Sequence, residues 1–186
     1  MAAMQYREPY RDGEADPAIE IAEMLGGHPE LCALFRMWDE ARRGRPMPSR
    51  RDFTPESLRP WLGNLALIDV SHNPVRLHYR LVGIHIVENL KCDPTGKDFT
   101  EVVADPASNP TTQGPYRCLM DGEPVFEIVQ PRHNACFSFD YARLSLPLSV
   151  DGRTINMILA GEYVISRTGE ASAPEFRPSA VAKVWN

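Results

Sequence analysis

Cysteine is scarce: four residues in 186, at Cys32, Cys92, Cys118 and Cys136, and no two of them form a C-x-x-C pair. A disulfide-framed secreted scaffold would be denser in cysteine, and a paired-thiol zinc site would need closer spacing. Positive charge is also short: 20 Lys and Arg stand against 25 Asp and Glu, for a net charge of -5. That balance argues against a nucleic-acid partner, since such binding rests on phosphate neutralisation. It argues equally against docking onto anionic membranes. No apolar run nears the ~20 residues of a membrane span. The first 16 residues are polar and charged, without the apolar core of a signal peptide. Catalytic signatures are missing as well. There is no G-x-S-x-G elbow, no phosphate-binding glycine loop, and no H-E-x-x-H or H-x-x-x-H pair among His28, His72, His78, His85 and His133. His133 and Cys136 have a spacing that metals use, but no further ligands accompany them. Carboxylates such as Glu88 and Glu127 read as solvated surface groups. The expectation is a cytoplasmic, non-catalytic protein with reduced thiols, no metal, no nucleic-acid partner and no membrane insertion.

Apolar residues make up 43% of the chain, enough for one domain plus extensions. Asp16-Pro17 opens a short helix near 17–25 that stops at Gly26-Gly27. A stronger helix follows over 31–43. Leu31, Leu34, Phe35, Trp38 and Ala41 recur at helical spacing and form one apolar stripe. Residues 44–51 (GRPMPSRR) read as a linker. Thr54-Pro55-Glu56 starts another helix, with Phe53 and Leu58 placed as a hydrophobic staple, and Pro60 keeps it short.

From Asn64 the period changes from helical to alternating. NLALIDV and VRLHYRLVG are strand-like runs separated by the turn Ser71-His72-Asn73-Pro74. A helical middle follows: IHIVENL, a turn near Phe99–Ala104, and a helix within Thr111–Asp121 that Gly122 stops. Three more strands close the domain: PVFEIVQP, CFSFDYARLSLPLSV and TINMILAGEYVI. Asp151-Gly152 marks a hairpin between the last two. This order predicts an α+β domain with one antiparallel sheet. The division is an N-terminal extension over 1–51, the domain over 52–166 and a tail over 167–186.

Several of these strands are apolar on both faces, although an antiparallel sheet usually shows one face to water. In the last strand Ile155, Met157, Leu159, Tyr163 and Ile165 share one face, and Ile158, Ala160 and Val164 share the other. The helical middle covers one face. The N-terminal amphipathic helix, or a second copy of the chain, must cover the other, which makes Leu31, Leu34, Phe35 and Trp38 the interface candidates.

The stretch YRLVGIHIVENLKCDPTGKDFTEV, Tyr79 to Val102, resembles the strand-Gly-helix-loop-Gly pattern of the PAS family, with Gly83 after the strand and Gly96 in the loop. RLSLPLSVDGRTINMILAGEYVI, Arg143 to Ile165, resembles that family's last two strands. DFTPESLRPWLGNLALIDV, Asp52 to Val70, is similar to the opening segment of bacterial stand-alone PAS proteins. One departure stands out: Gly161-Glu162-Tyr163 occupies the region of the family's usual Asp-Ile-Thr exit. The resemblance implies a PAS-like five-stranded antiparallel sheet with short helices on one face.

It also implies signal sensing or protein contact as a homodimer or with a signalling partner, without catalytic output of its own. The alternative is a purely structural dimerisation module. A PAS pocket lies between the inner sheet face and the helices. The residues placed to line it are Tyr79, His85, Tyr116, Phe126, Phe139, Tyr141, Arg143 and Met157, with Arg80 and Arg143 as anchors for an anionic small-molecule ligand. The family's haem histidine has no counterpart in the helix around 111–121, leaving His85 in the earlier helix. Neither Cys92 (Lys-Cys-Asp-Pro) nor Cys118 (Arg-Cys-Leu-Met) matches the flavin-reactive Asn-Cys-Arg-Phe-Leu-Gln motif. No cofactor is named by these residues.

Overall fold

A computed structural model describes residues 28–130 and 139–167. The expected helix near 17–25, the His133–Cys136 spacing and the tail beyond Arg167 lie outside the described residues. Helix α1 spans Pro29–Arg42, with proline at its start and Arg43 in the left-handed region (φ 50°) at its end. Its apolar stripe is buried: Leu31, Leu34, Phe35 and Trp38 are each at most 3% exposed. Two capped turns follow. Ser49 and Asp52 cap the turn Arg50–Asp52, and Thr54 and Ser57 cap α2, Pro55–Leu58. Phe53 and Leu58 are both buried, as a staple requires. A 3-10 turn over Arg59–Asn64 leads into the sheet.

The strands are β1 (Leu65–His72), β2 (Val75–Val82), β3 (Val125–Val129), β4 (Phe139–Ser149) and β5 (Ile155–Arg167). All pairs are antiparallel, in the order β2-β1-β5-β4-β3. Between β2 and β3 run α3 (Ile84–Leu90), α4 (Phe99–Val102) and α5 (Gln113–Asp121). This is the expected five-stranded α+β fold, with the short helices over one face and α1 over the other.

The outer face carries Leu65 and Leu67 of β1, Leu144, Leu146 and Leu148 of β4, and Met157 and Leu159 of β5, all buried. Helix α1 lies on it. A Cβ added at Gly161 would sit 2.6 Å from Leu34 Cδ2 and 2.9 Å from Leu31 Cδ2, so the missing side chain lets the helix approach. The Trp38 indole N–H donates to the Pro147 carbonyl at 2.9 Å, in the buried interior. Each fully buried stripe residue contributes about 1.5–3 kcal/mol of apolar burial. Leu31, Leu34, Phe35 and Trp38 therefore close a face of their own sheet.

The inner face is narrow at its centre. Ala66 and Ala160 pair across β1 and β5, with Ser145 of β4 beside them. An aromatic stack packs on the same face, beginning at Tyr79 of β2, which pairs with Ile68 of β1. Tyr79 and Phe99 rings lie 4.3 Å apart, and Tyr116 meets Phe99 edge-on at 6.1 Å.

Candidate functional site: a buried charge row on the inner face

Strand register places Glu127 of β3 opposite Arg143 of β4, and Arg143 opposite Glu162 of β5. The three side chains form a row across the inner face. Arg143 is 3% exposed, and each glutamate is 15% exposed. Nε of Arg143 donates to Glu162 Oε1 at 2.9 Å, and Nη1 donates to Glu127 Oε1 at 3.2 Å. Nη2 donates to the Thr111 carbonyl at 2.6 Å and to the Tyr141 hydroxyl at 2.7 Å. The guanidinium thus ties three strands to the segment that begins α5.

Local structure makes room for this row. Gly114, in the first turn of α5, faces Glu127 so closely that a Cβ there would overlap the Glu127 Oε1. Burial pulls the Arg143 guanidinium down, but Glu162, Tyr141 and Glu127 more than compensate and hold it up. Burial pushes the Glu127 carboxyl up, against the pull of Arg143 and Arg117. Burial likewise pushes the Tyr79 and Tyr141 phenols up. A buried ion network with one cation between two anions rests on its geometry, since burial strips each charge of water.

Beside the row lies a cleft lined by Ile86, Asn89, Leu90, Phe139, Tyr141, Glu162, Tyr163 and Val164. Its free space is about 10 Å³, room for one water.

The sequence-derived site residues separate into groups. Tyr79, Tyr116, Tyr141 and Arg143 come together on the inner side, and Phe139 packs on Tyr141 with ring centres 5.9 Å apart. Phe126 and Met157 do not join them. Glu127 and Ala160 point inward, so strand alternation puts Phe126 and Met157 on the outer face. His85 is 58% exposed on the side chain; its ring packs on Gly63, and Nδ1 lies 3.5 Å from Glu88. Arg80 is 60% exposed and pairs with Asp69 at 3.3 Å near the β2 edge, far from the row. Arg143 has its donors engaged by protein groups.

The reading of Glu127 as a solvated surface group is corrected: its carboxylate is enclosed by Gly114 and bonded to Arg143. Glu162 was missed. The signal for it was the departure at residues 161–163. Gly161 admits α1, Glu162 completes the charge row, and Tyr163 packs on His28 with ring centres 4.5 Å apart.

Residues 27–114 match the family described as PAS domain, a span that runs from α1 through β1, β2, α3 and α4 to the first turn of α5 and stops short of β3, β4 and β5. Over those residues the chain is similar to PAS domains. Solved structures similar to this chain include a light-oxygen-voltage domain studied with a flavin analogue (14% identity, TM-score 0.45, covering 60% of this chain and 83% of that one). A second is the LOV protein of Rhodobacter sphaeroides (12% identity, TM-score 0.46, 61% and 68%). A third is a sensory box sensor histidine kinase from Vibrio cholerae (16% identity, TM-score 0.42, 60% and 89%). No curated protein sequence matches the chain. Among the described residues no group of three His, Cys, Asp or Glu is placed to hold a metal ion. No helix among them is long and apolar enough to cross a membrane.

Proposed function

We propose that this PAS-like domain is a cytoplasmic regulatory module that acts through contact with a signalling protein, without catalysis of its own. The observation that carries this reading is the packing of the inner face among the described residues. The Tyr79–Phe99–Tyr116 stack and the Glu127–Arg143–Glu162 row both lie between sheet and helices, and side chains there bond and pack with one another. A signal in such a domain works by shifting the balance between two packings of helices on the sheet. Helix α1 and helix α5 are the natural outputs, because each is clamped to the sheet by buried contacts.

The test pairs two measurements on protein purified from its own host. Native mass spectrometry reads subunit number and any retained small molecule. Affinity capture followed by reciprocal capture reads a stoichiometric protein partner. A reproducible partner supports contact signalling. A stoichiometric small molecule with no partner replaces it with ligand sensing. A bare, partnerless chain overturns it in favour of a structural module.

A further inference from the structure

One guanidinium cannot neutralise two carboxylates. The row of Glu127, Arg143 and Glu162 carries one negative charge in excess, on side chains that are at most 15% exposed. Among the described residues each carboxylate accepts a hydrogen bond from Arg143 alone. No backbone N–H of the first turn of α5 donates to Glu127, although Gly114 lies against it. The remaining charged and titratable neighbours are few. Arg117 of α5 acts on Glu127 from the exposed side, Tyr141 of β4 accepts from Arg143, and Tyr79 of β2 reaches the row through Arg143 and Tyr141.

Both arms of the network touch the start of α5. Arg143 Nη2 holds the Thr111 carbonyl, and the Glu127 carboxylate fills the gap left by Gly114. A change of charge on Glu127 redistributes the pull of Arg143 between Glu162 and Glu127. It therefore changes how this turn is held. We propose that Glu127 and Glu162, sharing Arg143, form a proton-operated latch between the sheet and the N-terminal turn of α5. The proton goes to Glu127, whose bond to Arg143 is the longer of the two. Proton uptake leaves one cation facing one anion and lets the carboxyl pack against Gly114 uncharged. Proton loss restores the excess charge and loosens the turn. The direction agrees with the upward push that burial exerts on the Glu127 carboxyl.

The latch deepens the contact reading by naming a stimulus, and it rests on that reading for its purpose only. The experiment is a carboxyl-carbon NMR titration of the labelled full chain, followed together with the amide signals of Thr112, Gln113, Gly114 and Tyr116. The expected result is a Glu127 midpoint above the ordinary glutamate value of about 4.3, with those amides shifting at the same midpoint. In E127Q the amides stay flat over that range. The melting temperature of E127Q relative to the parent rises with pH, because the neutral amide resembles the protonated acid. A Glu127 midpoint at or below the ordinary value overturns the latch, as do amides that ignore the titration. The parent titration decides the matter alone if E127Q does not fold. Repeating the partner capture on either side of the midpoint separates the two ideas. A pH-independent partner leaves contact signalling standing without the latch, and a working latch with no partner does the reverse.

Discussion

Replacing Leu34 with alanine tests whether α1 belongs to its own subunit. Leu34 is fully buried, and its Cδ2 lies against the backbone at Gly161. Truncation removes three carbon atoms from a site where helix and strand already touch. The backbone on both sides is fixed, by the α1 hydrogen bonds and by pairing of Gly161 with Leu65 and Leu144. The cavity therefore closes only in part, which puts the loss at about 3 kcal/mol, within the measured range for buried leucines. With a urea slope of roughly 2 kcal/mol/M, the midpoint falls by about 1.5 M. For a domain of this size the melting temperature falls by roughly 6–12 °C. Tryptophan fluorescence reports the transition, since the Trp38 indole is bonded to Pro147 across the same interface. Sedimentation velocity at several concentrations runs alongside. The expected outcome is a lower midpoint at unchanged slope and unchanged subunit number. A midpoint within about 0.3 M of the parent, or a loss seen only as a shift in subunit number, would falsify the intramolecular packing of α1.

Other expectations follow from the charge row and the turns. Arg143→Met leaves two enclosed carboxylates without their donor and costs about 3–5 kcal/mol at neutral pH. Urea denaturation should show that deficit shrinking as pH falls and Glu127, whose carboxyl burial pushes up, takes up a proton, and a deficit constant with pH refutes the account. Gly114→Ala pushes Glu127 off Arg143, because the new Cβ overlaps the carboxylate. It should move the Glu127 carboxyl-carbon signal and lower the melting temperature, and an unmoved signal counts against the geometry. At the β4–β5 turn, Asp151 accepts from the backbone N–H groups of Thr154 and Arg153 and from Ser149, and these bonds hold its carboxyl well below the usual range. A depressed folded value means its stabilisation is full above pH ~4 and fades as pH falls below it. Asp151→Asn should flatten that acid limb of the stability curve. Burial pulls the His28 imidazole down, against Glu30, so protonating it destabilises the fold. Stability should drop as pH falls below about 6.5, and a His28→Gln variant should lack that step.

The fold was legible because its signals are local. The α1 stripe, the Ser71–Pro74 turn and the apolarity of both faces of β1 and β5 follow from side chains a few residues apart. Two-faced apolarity also implied a cover on each side, and the chain supplies both. The charge row was not legible in the same way. Glu127, Arg143 and Glu162 are 16 and 19 residues apart, and only strand register brings them into line. Glu127 alone looks like any strand glutamate. What exposes it as enclosed is Gly114, which sits in a different element. Phe126 and Met157 were misplaced for a related reason. Aromatic and sulfur side chains mark a core, but only the facing of their neighbours says which side of the sheet they occupy.

The position of β5 has a consequence for how the molecule comes into being. It pairs with β1 on one side and β4 on the other, so it is the keystone between two hairpin-like halves. A ribosome that has made everything up to Asp151 has exposed two greasy half-sheets with no seam to join them. The segment Ile155–Arg167 must emerge before either half can be sealed, so a nascent chain stalled just before it should be a preferred client of chaperones.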